Sequence, residues 1–159
     1  MALAISLGRR NLGQTSPNPS VGCVIVKNDV IIGRGYTAPN GRPHAETQAL
    51  EQAGSAAKGA TAYITLEPCS HEGKTPPCAH ALVKAGIKRA VIAAIDPDIR
   101  VNGKGISILE AAGIEVKVGV LSDQASLDHA GFFSSKTECR PWVTLKLAAS
   151  IDGKIATKI

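Results

Sequence analysis

ATAYITLEPCSHEGKTPPCAHALVKAGIKRAVIAAI, residues 60–95, holds the reading that decides the fold. ATAYITL (60–66) is short and rich in β-branched and aromatic residues, hence a strand. A loop dense in Pro, Gly and Ser follows (67–77). Cys78 to Ala85 reads as a helix stopped by Gly86, and KRAVIAAI (88–95) is again a strand. Strand, helix and strand in succession are the unit of a layered α/β domain.

The same alternation extends outward. Residues 2–12 read as a helix with an aliphatic face, broken by Gly13 and two prolines. VGCVIVK (21–27) and VIIGRGY (30–36) are strands joined by Asn28-Asp29, a tight turn that predicts an antiparallel hairpin. His44 to Ala53 is helical in composition and ends at Gly54. Beyond residue 95, Lys104 to Ala112 predicts a helix closed by Gly113, IEVKVGV (114–120) a strand, and Ser122 the cap of a final helix through Phe133. The order α-β-β-α-β-α-β-α-β-α predicts an α/β fold with a mixed, mostly parallel central sheet. Residues 1–133 form one domain and 134–141 (SSKTECRP) a polar linker. The apolar run WVTLKLAAS begins a strand this domain does not need, so 142–159 read as the first strand of an incomplete second domain.

Composition narrows the function. Apolar residues make up 44% of 159 and aromatics 3%, so the core is aliphatic. No stretch approaches the ~20 apolar residues of a membrane span. The Arg pair of MALAISLGRRNLG follows the apolar residues, the reverse of a secretory signal, and a cytoplasmic location is expected. Reduced thiols are then the expectation for Cys23, Cys69, Cys78 and Cys139, with metal ligation a better use of a Pro-flanked pair than a disulfide. Cys23, inside VGCVIV, reads as a small buried hydrophobe. The formal charge of +5 is spread without a basic block, which fits a small anionic substrate or an ordinary solvated surface.

Three short motifs carry the chemistry: His44-Ala45-Glu46, Pro68-Cys69 and Pro77-Cys78. One imidazole and two thiols are soft ligands that suit zinc with its fourth position open to water. Both ligand segments open helices, where unpaired N–H groups favour thiolate. Zinc lowers the pKa of a bound water to about 7, and Glu46, two residues past the histidine, is placed to shuttle that water's protons. This is the H-x-E…P-C…C pattern of zinc-dependent nucleobase deaminases. A lone H-x-E or P-C carries little; the ordered combination is specific. Its alternative is a closed structural zinc site with His71 or His80 as fourth ligand, which leaves Glu46 unexplained. Eight residues, SHEGKTPP, separate the two cysteines and bring His71, Lys74 and Thr75 to the rim, a cation and an imidazole suited to a phosphate. A plain solvated loop is the other reading. Asn18, held between two prolines, presents an amide able to donate and accept against a pyrimidine edge, or is a turn residue.

The segments TSPNPSVGCVIV, PHAETQAL, ITLEPCSHEGKTPPCAHAL and AAIDPDIRVNGKGI closely resemble the deaminase domain of the bifunctional riboflavin-biosynthesis deaminase/reductase. RPWVTLKLAASIDGKIA resembles the opening of that family's NADPH-dependent reductase domain. The resemblance implies a cytidine-deaminase-like α/β/α three-layer sandwich and a homo-oligomer. It implies as substrate 2,5-diamino-6-ribosylamino-4(3H)-pyrimidinone 5′-phosphate, deaminated to 5-amino-6-(5-phosphoribosylamino)uracil. His44, Cys69 and Cys78 match the Zn2+ ligands and Glu46 the proton shuttle. Asn18 matches a pyrimidine-binding residue, and His71, Lys74 and Asp96 match residues on the ribose-phosphate side. NADPH would belong only to the missing reductase domain. Thr37 and Asp98 depart from the family pattern and are expected to remove neutral or cationic contacts to substrate. A nucleic-acid deaminase, the competing reading, needs a stacking platform; Tyr36, Tyr63, Phe132, Phe133 and Trp142 all fall outside the metal loops. Neither nucleic acid nor membrane is therefore an expected partner. A zinc-stabilised scaffold without catalysis is the third reading.

Overall fold

The computed structural model describes residues 1–72 and 76–156. Five strands form one sheet in the order β2-β1-β3-β4-β5. β1 (Gly22–Lys27) and β2 (Val30–Tyr36) pair antiparallel. Asn28 and Asp29 both take positive φ, 48° and 61°, the conformation a two-residue hairpin turn with the right twist demands. β1 also pairs antiparallel with β3 (Thr61–Leu66). β3, β4 (Arg89–Ala94) and β5 (Glu115–Val118) run parallel. β1 alone therefore opposes the other four, and the sheet is mixed and mostly parallel in strand direction. The β1–β3 ladder has no local signal, since its two strands are separated by a helix.

Helices cover both faces. α2 (Ala45–Ala53), α3 (Cys78–Lys84) and α4 (Lys104–Ala111) pack side by side on one. On the other, α1 (Ala2–Gly8) lies across β1, β2 and β3, and α5 (Ser122–Asp128) leads into α6 (Ala130–Thr137). Arg9 Nε meets Asp128 Oδ2 at 2.7 Å, joining the end of α1 to the end of α5. The core between the layers is aliphatic, with Ile25, Ile64, Leu66, Leu82, Ile92 and Leu109 fully buried. Cys23 is buried among them, as its apolar neighbours predict, and all four cysteines are free thiols.

Small residues set how closely α2 sits. A Cβ at Gly33 would lie 2.1 Å from the Ala49 carbonyl oxygen, and one at Gly35 only 2.0 Å from that of Ala45. Helix backbone thus rests directly on strand backbone, an approach only glycine permits. His44 and Glu46 flank Ala45, so this contact fixes the position of the helix end that carries them.

Three boundaries differ from the sequence reading. The helix beginning at 122 breaks at His129, which is buried, and resumes as α6 to Thr137 rather than ending at Phe133. The first four residues of the expected linker, SSKT, are therefore helical; their polarity hid a helix whose Phe132 and Phe133 pack inward. Ser122 is not the cap: Leu121 holds that position with φ 59°, and the Ser122 hydroxyl bonds to Asp123. The first helix ends at Gly8, with a 3-10 turn over Arg9–Asn11. Residues 141–150 pair with no described strand, and Val143, Leu145 and Leu147 are exposed. No described helix is long and apolar enough to cross a membrane.

Gly35→Ala forces a methyl group into the Ala45 carbonyl. Overpacking of this kind costs about 1–3 kcal/mol, so a marked fall in Tm is expected by thermal unfolding, and an unchanged Tm would contradict the backbone contact.

Candidate metal centre and its pocket

The carboxyl ends of β3 and β4 deliver the site. Three residues past β3, Cys69 enters the loop that leads to α3; two past β4, Asp96 begins the next loop. The open edge of a parallel pair beside a reversal of strand order is where α/β sheets form crevices. His44 stands in the N-cap position of α2 with extended backbone, Glu46 lies in that helix's first turn, and Cys78 is the first residue of α3.

These elements bring His44, Cys69 and Cys78 together. Their ligand atoms all lie within 4.8 Å of one another. His44 Nδ1 is 3.3 Å from Cys78 Sγ and 3.8 Å from Cys69 Sγ. Tetrahedral zinc with Zn–S near 2.3 Å and Zn–N near 2.0 Å requires ligand separations of roughly 3.5 Å, so the trio fits such an ion with little adjustment. Among the described residues no carboxylate joins this cluster, and neither His71 nor His80 does. The arrangement has the three-ligand form of a site with an open corner.

The charges of the trio are interlocked. The Cys69 thiol is pulled down to about 4, first by a hydrogen bond from Cys78, then by one from His44 and another from the Cys78 backbone N–H, whose nitrogen is 3.2 Å from Sγ. Cys78 is pushed well above its usual range by the same contact and by burial. His44 is raised by its bond to Cys69. Cys69 is thus the thiolate, held by protons on Cys78 and His44, and a divalent cation would take the place of those protons. Glu46 is 4% exposed. Burial first, and the negative Cys69 second, raise it to about 7.

A cavity of about 440 Å³ opens over this centre. Asn18, His71 and Asp96 all line it. Asn18 Nδ2 donates to the Gly41 carbonyl at 2.8 Å and lies 3.3 Å from His44 Nε2. His71 Nδ1 is buried without a hydrogen-bond partner among the described residues. Asp96 accepts the Asp98 N–H at 2.8 Å, and burial raises it to about 6. Lys74 lies outside the described residues. Thr37 is buried, and its hydroxyl accepts the Val21 N–H at 2.9 Å, which makes it a brace between the strand ends.

Glu67, Arg100, Lys136 and Phe132 also line the cavity and were not singled out from sequence. Glu67 has a readable signal: a carboxylate at the apolar end of a buried strand must be satisfied internally. Its Oε2 accepts the N–H groups of Asp96 (3.3 Å) and Gly103 (2.9 Å), and its Oε1 those of Gly105 (2.9 Å) and Ile106 (3.3 Å). Lys136 had none, because it belongs to the stretch that read as linker.

A profile of the cytidine and deoxycytidylate deaminase zinc-binding region matches residues 1–94. Riboflavin biosynthesis protein RibD of Aquifex aeolicus is 52% identical over 157 residues, covering 99% of this chain and 44% of that protein. The diaminohydroxyphosphoribosylamino-pyrimidine deaminase of Buchnera aphidicola subsp. Schizaphis graminum is 50% identical over 133 residues, covering 84% of this chain and 90% of that one. A crystal structure of a Thermotoga maritima diaminohydroxyphosphoribosylaminopyrimidine deaminase/5-amino-6-(5-phosphoribosylamino)uracil reductase superposes with a TM-score of 0.91 at 43% identity, over 98% of this chain and 45% of that one. The chain thus spans less than half the length of its bifunctional relatives.

Because Cys78 and His44 are both raised above their usual range and a metal must displace their protons, zinc affinity is expected to rise with pH, with proton release on binding. Calorimetry in buffers of different ionisation enthalpy measures both; an affinity independent of pH would contradict the proton-sharing arrangement.

Proposed function

The chain belongs to the cytidine and deoxycytidylate deaminase zinc-binding family, and within it to the riboflavin-biosynthesis deaminases, and from that premise we propose that it hydrolyses the 2-amino group of 2,5-diamino-6-ribosylamino-4(3H)-pyrimidinone 5′-phosphate. The products are ammonia and 5-amino-6-(5-phosphoribosylamino)uracil. The observation that carries this reading is the His44–Cys69–Cys78 cluster with buried Glu46 outside it, at the floor of one cavity.

His44 Nδ1 and the two sulfurs would hold Zn2+, which when bound acidifies a water to near neutrality. Every other part of the work falls to side chains. A carboxyl that burial raises above its usual range can both accept and return protons. Glu46 carries one proton from the attacking water to the ring nitrogen, and a second, from the oxygen once it is bonded to carbon, to the departing amine. The water oxygen bonds to the ring carbon, the carbon–nitrogen bond breaks, and the ring keeps a carbonyl. Asn18 orients the pyrimidine, while His71, Asp96 and Lys74 serve the ribose-phosphate side. Thiol ligation suits a cytoplasmic compartment. We assign 142–159 to the start of a further domain, a reading supported by its exposed apolar side chains; NADPH would belong there.

Glu46→Gln is expected to keep the fold and bound zinc while lowering turnover by about 10²–10⁴-fold. Ammonia release and metal content, measured together, check this; a variant with near wild-type turnover would remove Glu46 from the reaction. Ammonia release from the phosphorylated diaminopyrimidinone is likewise expected to exceed by far that from cytidine or adenosine-containing RNA, and equal rates would reject the substrate assignment.

A further inference from the structure

Lys136 lies on α6, outside every motif that points to the metal, yet its ammonium shares the cavity with the catalytic groups. Its Nζ is 3.1 Å from Asp98 Oδ2. Arg100 grips the same carboxylate from the other side, Nε to Oδ1 at 2.9 Å and a terminal nitrogen to Oδ2 at 2.6 Å. The Arg100 backbone N–H adds a third bond, to Oδ1 at 3.0 Å. Asp98 is only 8% exposed, while the Arg100 and Lys136 side chains are 58% and 28% exposed. Two cations on one carboxylate leave a positive charge there, offset in part by Asp96, whose Oδ1 accepts the Asp98 N–H.

Donors are left over as well as charge. A guanidinium and an ammonium carry more N–H groups than one carboxylate engages, and these two cations make no further hydrogen bond among the described residues. Lys136 otherwise stands over the Phe132 ring, 5.5 Å from its centre. A flexible lysine or arginine loses rotamer freedom when it captures an anion; here Asp98 has already fixed both. As a stabilising device the cluster has little to recommend it, because partly exposed ion pairs contribute little. As a preset fork for a tetrahedral anion, the planar guanidinium beside an ammonium is well suited. Asp96 lines the same cavity beside the cluster, its Oδ1 accepting the Asp98 N–H at 2.8 Å, on the side already read as facing the ribose phosphate.

We propose that Asp98, Arg100 and Lys136 form an anion-binding fork for the phosphate of the substrate, with Asp98 as the positioning residue and the two cations in contact with the phosphate. This rests on the reading that the substrate is a ribosyl phosphate. It also reverses the expectation for position 98: the carboxylate does not remove a cationic contact but assembles two.

Asp98→Asn separates positioning from simple Coulomb repulsion. Deleting a negative charge beside a phosphate would tighten binding if Asp98 merely repelled it; loss of the fork weakens binding instead. The expected result is a KM for the phosphorylated pyrimidine raised about ten-fold in Asp98→Asn, Arg100→Ala and Lys136→Ala, with kcat within about two-fold and the KM for the dephosphorylated compound unchanged. An unchanged KM in Arg100→Ala, or a lower one in Asp98→Asn, overturns the proposal. Calorimetry with ribose 5-phosphate on the zinc-loaded protein tests the fork without turnover. Wild type is expected to bind about ten-fold more tightly than Arg100→Ala; equal binding overturns the fork whatever becomes of the deaminase reading. If the fork binds ribose 5-phosphate and the pyrimidine is not turned over, the fork stands and the substrate assignment fails.

Discussion

One buried carboxylate ties together the parts of this domain that meet at the cavity. Glu67 closes β3, immediately before the Pro68-Cys69 pair, and accepts N–H groups from the start of the Asp96 loop and from the first residues of α4. A charge taken out of water survives only where such donors surround it. The requirement works in both directions. The loop after β4 and the amino end of α4 must converge on Glu67, and Cys69, two residues on, is thereby held against the backbone that presents Asp96 and Asp98. Across the cavity the glycine-lined seat of α2 does the same for His44 and Glu46. Two rigid anchors, one polar and one steric, face each other across the metal trio.

This arrangement explains the electrostatics. Cys69 carries the negative charge because two neighbours donate to it, and Glu46 is raised toward neutrality because it is buried beside that charge. Preorganisation of this kind lets a small domain run acid and base chemistry from a single carboxylate.

The strand and helix order, the hairpin at Asn28-Asp29 and the meeting of His44, Cys69 and Cys78 were all legible in the sequence, because each has a local signal: β-branched runs, turn residues, or soft ligands at helix starts. The β1–β3 ladder was not, since antiparallel pairing across an intervening helix leaves no periodicity. The extent of α6 was also missed. Ser134, Ser135, Lys136 and Thr137 have weak helical preference and read as linker, yet Ser134 is buried and its hydroxyl caps the Arg140 carbonyl at 2.9 Å. The roles of Asp98 and Arg100 were hidden for a related reason. Charges two residues apart in a loop are ordinary until a lysine from a distant helix joins them.

α6 therefore belongs to the catalytic unit by geometry even though it adjoins the segment leading away from it. Only a few residues separate Lys136 from the exposed run that begins at Trp142. A truncation at Phe133 would spare the metal trio but strip one wall from the cavity. Because the Ser134 hydroxyl holds the Arg140 carbonyl, a cut made directly after Thr137 would still remove a contact that fixes the end of α6, and any pull on the chain beyond it acts beside the side chain standing over Phe132.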